Sequence, residues 1–155
     1  MPKPDPLILL VAVDGSPASL AAVQQALDLA ERGLPLQLVL LNVQPPPTLY
    51  EVVVAHDREV LDDIRAGAGA DLLAPALALV RAAGIEPQHD VIGGEPAHAI
   101  IDFAESISAQ LLLLGGRGEG GTAEALGGTV QAVLEMAPMP VMVVRLPEPV
   151  PDADA

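Results

Sequence analysis

The sequence predicts an α/β domain on an open, doubly wound, five-stranded parallel sheet in the order 3-2-1-4-5, with helices on both faces. Three observations predict it. Five short apolar runs (Leu7–Val13, Leu36–Val43, Pro87–Ile92, Leu111–Leu114 and Pro140–Val144) alternate with stretches of helical periodicity. Most of these runs are apolar at every position, as strands buried on both faces are. The two most unusual segments, Asp14-Gly15-Ser16 and Gly115–Thr129, follow the first and fourth runs. In a doubly wound sheet those two carboxyl ends flank the switch point where ligands bind.

Each element has a local reason. The first strand, Leu7–Val13, stops at Asp-Gly-Ser-Pro. Ser16 suits an N-cap and Pro17 the first helical position. Ala21, Ala22, Ala26, Leu27, Leu29 and Ala30 then recur at helical spacing, and Gly33 stops the helix. Leu36–Val43 is the second strand. Pro45–Asp57 starts as a loop, because consecutive prolines cannot join a central strand. From Asp57 to Ala83 the apolar positions form a helical stripe. Gly67, Gly69 and Pro75 weaken that stripe, and Pro75 predicts a kink or break. Gly84 ends it. Pro87–Ile92 is less apolar and belongs nearer a sheet edge. Gly93–Pro96 opens a helix to about Ser108, Leu111–Leu114 is the fourth strand, and a last helix to about Ala137 leads into Pro140–Val144.

The chain's 155 residues suit one domain, over residues 1–146, followed by an acidic, disordered tail at 147–155. With one Tyr, one Phe and no Trp, the core is aliphatic, and Tyr50 is the one plausible aromatic neighbour for a bound purine. The net charge of −14, with seven scattered basic residues, argues against nucleic acid or an anionic membrane as partner. It does not exclude a small anion, since exposed charges are screened beyond roughly 8–10 Å at physiological salt. The absence of cysteine removes disulfides and thiolate chemistry and fits a cytoplasmic protein. The opening apolar run is only seven residues (Leu7–Val13) and is flanked by charged or turn residues, unlike a signal peptide, and no stretch approaches the ~20 apolar residues of a membrane span.

Glycine fills seven of the fifteen positions from Gly115 to Thr129. Gly116-x-Gly118-x2-Gly121 matches a dinucleotide fingerprint, but Gly127-Gly128 interrupts the helix that motif needs, and Val141 stands where its acidic residue belongs. Gly116-x4-Gly121-Thr122 resembles a P-loop, but Gly121 replaces the required lysine. A third spacing, Gly115-x2-Gly118-x9-Gly128-Thr129, makes one site from two pieces. Gly115 and Gly118 let the backbone turn off the strand and approach a ligand with no Cβ in the way. Gly128 and Thr129 open the last helix, where unpaired N–H groups and the dipole favour an anion. Thr129 can donate to a phosphate or cap the helix. Arg117 is the only cation of the loop between, which also carries Glu119 and Glu124.

That third spacing, after LLLLGGRG and before GTVQAVLEMAPMPVMVV, resembles the universal stress protein family. VAVDGSPASLAAVQQAL, LVLLNV and GGEPAHAIIDFAE resemble its earlier elements, so the likeness covers about Leu7 to Arg145. The resemblance implies the adenine nucleotide alpha hydrolase-like fold and an ATP-binding subclass. It implies that Asp14, with Gly15, and Val43 face the adenosine. It implies that Leu114, Gly115, Gly116, Arg117 and Gly118 meet the ribose and phosphates, and that Gly128, Thr129 and Val130 meet the phosphates. It implies ATP, or AMP or ADP, as the ligand, with any Mg²⁺ carried on the phosphates. The resemblance also implies a homodimer through the apolar edge strand Pro140–Val144, since an exposed edge invites pairing.

Plainer readings stand beside these. Asp14 also suits a turn, Ser16 suits a cap better than a ligand contact, and Gly128-Thr129 suits an ordinary helix start. His56, His89 and His98 have no partners at metal-ligand spacing, so no metal site is expected. No nucleophile–base set is present, so no catalytic residue is expected. A nucleotide-independent dimeric interaction module and a very slow ATP hydrolase remain as alternatives to a nucleotide-binding regulator of the stress response.

Overall fold

The structure, a computed structural model, describes residues 4–54, 57–116 and 126–146. In chain order the elements are β1 (Leu7–Ala12), α1 (Pro17–Glu31), β2 (Leu36–Gln44), α2 (Leu49–Val54), α3 (Arg58–Ala82), β3 (Gln88–Gly93), α4 (Pro96–Ser106), β4 (Leu111–Gly115), α5 (Gly128–Met136) and β5 (Val141–Val144). The strands form one parallel sheet in the order β3-β2-β1-β4-β5, as the sequence predicts. The acidic tail expected at 147–155 lies outside the described residues.

Alternation along the strands divides the core into two layers. Leu9, Val11, Leu38, Leu40 and Leu113 face α1 and α3, where they meet Ala22, Val23, Ala26, Leu73, Ala76 and Val80. Leu10, Val39, Leu41, Leu112 and Leu114 face α4 and α5, where they meet Ala97, Ile100, Ala104, Val130 and Val133. Each fully buried aliphatic side chain contributes on the order of 1.5–3 kcal/mol, so the fold needs no aromatic core. β3 lies at one edge and is largely exposed at Gln88, His89 and Asp90, which fits its weaker apolar run.

Helix ends fall where the punctuation places them. The Ser16 hydroxyl accepts the N–H of Ser19 and Pro17 begins α1. Gly33 and Gly84 follow α1 and α3 with φ of +102° and +82°, values that favour glycine.

One expectation is corrected. α3 is not broken near Pro75: it runs unbroken for 25 residues with Pro75 inside. Pro75 lies on the exposed side, between buried Leu73 and Ala76. The carbonyl its missing N–H cannot serve is that of Asp71, also at an exposed position and so open to solvent. The stretch after Pro45 starts as a loop, as expected, and Leu49–Val54 then forms the short helix α2. Thr48 opens it: its hydroxyl accepts the N–H of Glu51, and the Glu51 carboxylate accepts the N–H of Thr48.

Candidate functional site

The carboxyl end of β1 is a tightly fixed turn. The N–H of Val13 donates to the Leu41 carbonyl at 2.8 Å, the last main-chain bond from this end of β1 to β2. The Val13 carbonyl then accepts from the side-chain amide of Asn42, also at 2.8 Å. Asp14 is exposed, and its Oδ1 accepts the N–H of Ser16 at 2.9 Å. It is therefore a turn residue with its second carboxylate oxygen left over. Gly15 takes a φ of +83°, which permits the turn. The hydroxyl of buried Ser19 donates to the Ser16 carbonyl at 2.9 Å and locks the first turn of α1.

The end of β4 abuts that same turn. A Cβ on Gly115 would lie 2.5 Å from the Ala18 carbonyl carbon and 2.7 Å from the Ser19 nitrogen. The sequence reading gives Gly115 to the approach of a ligand; its side-chain position is instead filled by the backbone of α1. Gly115 thus brings β4 against the helix that carries Asp14 at its start. Beyond it, the N–H of Gly116 donates to Val144 at 2.8 Å, and the Gly116 carbonyl accepts the N–H of Gly127 at 3.1 Å.

Gly127 begins α5 without a side-chain cap. α1, α3 and α4 are each capped by a side chain, from Ser16, Asp57 and Glu95. Thr129 lies inside α5 and does not cap it. Gly128 is exposed, and a Cβ there would meet nothing within 4 Å among the described residues. The first turn of α5 thus presents N–H groups that no described side chain satisfies, with open space at Gly128.

The other expected residues divide by exposure. Leu114 and Val130 are 3% and 5% exposed and belong to the core on the α4–α5 side, so only their backbone groups can meet a ligand. Val43, at the end of β2, is partly buried against the same core. Arg117 and Gly118, with Glu119 and Glu124, lie outside the described residues. Tyr50 stands on α2 with 77% of its surface exposed. Among the described residues no three His, Cys, Asp or Glu side chains gather as a metal site, and no helix is long and apolar enough to cross a membrane.

Sequence reasoning missed two polar groups at this end of the sheet. Asn42 sits in an apolar run that reads as plain strand; its only signal is an amide among leucines. Glu95 caps α4, accepting the N–H groups of His98 and Ala97, and its carboxylate also contacts the His98 ring. The His98 N–H first, and the His98 ring second, hold the Glu95 carboxyl below its ordinary range. A groove lined by Leu27, Ala30, Leu79, Ala82 and Ile85 runs between the last turns of α1 and α3. Those turns lead into the amino ends of β2 and β3, away from the residues above.

Relatives share this architecture. Universal stress protein YxiE of Bacillus subtilis is 29% identical over 144 residues, 88% of this chain and 97% of that protein. The solved universal stress protein UspA from Lactobacillus plantarum is 25% identical with a TM-score of 0.77, over 92% of this chain and all of that one (100%). A universal stress protein family protein from Arabidopsis thaliana, solved with AMP bound, superposes with a TM-score of 0.67 at 19% identity, over 92% of this chain and 94% of that chain. The family model described as the universal stress protein family matches residues 8–145, from the first residues of β1 to the end of β5. With the sheet order, both core layers and the two glycine-bearing strand ends inside that match, the chain belongs to the universal stress protein family.

Proposed function

We propose that this universal stress protein is an adenine-nucleotide-binding regulatory protein. In this reading ATP, or AMP or ADP, lies between the β1 end and the glycine segment after β4. The observation that carries it is the uncapped amino end of α5, held beside the end of β4 by the Gly127–Gly116 bond. A helix end without a side-chain cap, at the switch point of a doubly wound sheet, fits a phosphate. The open space at Gly128 lets that phosphate reach the backbone N–H groups.

The adenosine end then falls to Asp14, Gly15 and Val43, with the free oxygen of Asp14 available to a hydroxyl or amine donor. Arg117 and Gly118 complete the phosphate end. Any Mg²⁺ rides on the phosphates rather than on a protein cluster. The AMP held by the Arabidopsis relative supports this class of ligand. The reading carries with it a cytoplasmic location.

We also infer a homodimer through β5. It is an edge strand whose four residues are all half-buried, and Leu134 and Met136 of the neighbouring α5 are exposed. An apolar edge of this kind invites pairing with a second copy.

Calorimetric titration with ATP, ADP and AMP, each with and without Mg²⁺, tests the nucleotide reading. Saturable heat with any of them supports it. No heat at millimolar nucleotide from folded protein leaves the dimeric, nucleotide-independent module in its place.

A further inference from the structure

We propose that Asn42 is a positioning residue for the adenosine end of the site, acting through the Val13–Asp14 peptide. The proposal rests on the nucleotide reading above and adds to it a residue outside the glycine motif.

Asn42 is 1% exposed and points from β2 toward α3, the layer that also holds Val13. Its Nδ2 donates to the Val13 carbonyl at 2.8 Å. Val13 has already left the regular ladder: β1 ends at Ala12, and the Val13 N–H bond to Leu41 is its last main-chain tie to β2. From there a side chain, not the backbone, holds β1 to β2. The carbonyl it holds belongs to the peptide that leads into Asp14. Fixing that peptide plane fixes the direction in which Asp14 leaves the sheet.

The amide is itself held on its other side. Gln44 Nε2 donates to Asn42 Oδ1 at 2.8 Å, which sets the amide with its NH₂ toward Val13. The backbone of α3 closes over the same oxygen: a Cβ on Gly69 would lie 2.9 Å from it. Asn42 is thus held on its oxygen side while its Nδ2 donates to Val13. Beyond Val13, the Ser16 N–H restrains the Asp14 carboxylate. Asp14 is steadied from its backbone by Asn42 and from its side chain by Ser16. Its remaining carboxylate oxygen then faces the ligand in a fixed direction, and preorganisation of that kind strengthens a hydrogen bond without adding one.

A merely structural Asn42 would lower thermal stability and leave the affinity of the folded protein unchanged, or lower it independently of Asp14. A positioning Asn42 loses its effect once Asp14 is gone. The test is a double-mutant cycle on the full chain, with ATP–Mg²⁺ as probe, at a temperature where every variant is folded. Asp14→Ala is expected to weaken ATP about tenfold and Asn42→Leu about fivefold, the range of one hydrogen bond lost or misaligned. The double variant is expected to match Asp14→Ala alone. Losses that multiply, Asn42→Leu binding as wild type, or an unaffected Asp14→Ala each overturn the positioning role. If Asn42→Leu does not fold, Gln44→Leu, which frees the amide but leaves it in place, completes the cycle with about a twofold loss by the same argument. Wild-type protein that takes no ATP at millimolar concentration brings down the nucleotide reading itself, and the role of Asn42 with it.

Discussion

The backbone N–H of Gly127 donates to the carbonyl oxygen of Gly116 at 3.1 Å. That bond joins the two ends of the glycine-rich segment and sets the first turn of α5 beside the carboxyl end of β4. On its other side, Gly116 donates to Val144 of β5 at 2.8 Å. The strand that forms the sheet edge and the helix that offers its N–H groups are therefore tied to a single residue. Several consequences of this arrangement can be measured.

At Gly115 β4 lies directly against the backbone of α1, so Gly115→Ala destabilises the fold. Its Cβ would fall 2.5–2.8 Å from Ala18 and Ser19 backbone atoms, which cannot rotate away. The expected loss is about 1–3 kcal/mol, the usual cost of overpacking. Urea denaturation measures it, and a wild-type midpoint would mean that α1 can lift off β4 at no cost.

Gly67 and Gly69 lie two residues apart in α3 and predict opposite effects. A Cβ on Gly67 meets nothing within 4 Å, so Gly67→Ala stabilises by about 0.5–1 kcal/mol through helix propensity. A Cβ on Gly69 would lie 2.3 Å from Val91 Cγ1 and 2.9 Å from Asn42 Oδ1. Gly69→Ala is therefore destabilising by about 1–3 kcal/mol despite the same propensity gain. Paired thermal melts decide it, and a shift of equal sign in both contradicts the packing described for Gly69.

Glu95 gives the pH dependence its sign. Its folded carboxyl is held below the ordinary value of 4.5, chiefly by the N–H of His98. The stability this contributes is present above that value and is lost as pH falls through the lowered folded one. Glu95→Ala is expected to melt below wild type at pH 7, with the gap closing as pH falls beneath 4.5. A gap that persists at low pH assigns the loss to something other than the ionised cap.

The edge strand predicts the assembly. Val143→Arg places a charge on β5, and sedimentation is expected to show the mass fall from dimer to monomer, with circular dichroism confirming the fold. A dimer that survives puts the interface elsewhere.

Much of this was legible in the sequence because it depends on local rules. Uninterrupted aliphatic runs mark the buried strands, and Ser16, Gly33 and Gly84 mark helix ends by cap chemistry and backbone conformation. The order of the strands follows from crossover handedness. What the sequence did not disclose depends on contacts between distant elements. Pro75 reads as a break, but its exposed position leaves the orphaned carbonyl open to solvent while Leu73 and Ala76 keep the helix packed. Gly115 reads as glycine for the approach of a ligand, and what the sequence hides is that the Cβ it lacks would strike Ala18, 97 positions earlier in the chain. Asn42 reads as one more residue of a buried strand. Its role appears only when β1 ends beside it and leaves the Val13 carbonyl to be met.

The most direct test of the nucleotide site is the ATP–Mg²⁺ affinity of Gly128→Val beside wild type, measured by calorimetry together with the melting temperature of each. A Cβ at Gly128 would meet nothing within 4 Å among the described residues, so the fold is expected to change by no more than about 0.5 kcal/mol. Binding to wild type that drops at least tenfold in the variant, with the melting temperature nearly unchanged, is the result this site predicts. Equal ATP affinity in the two proteins would contradict it.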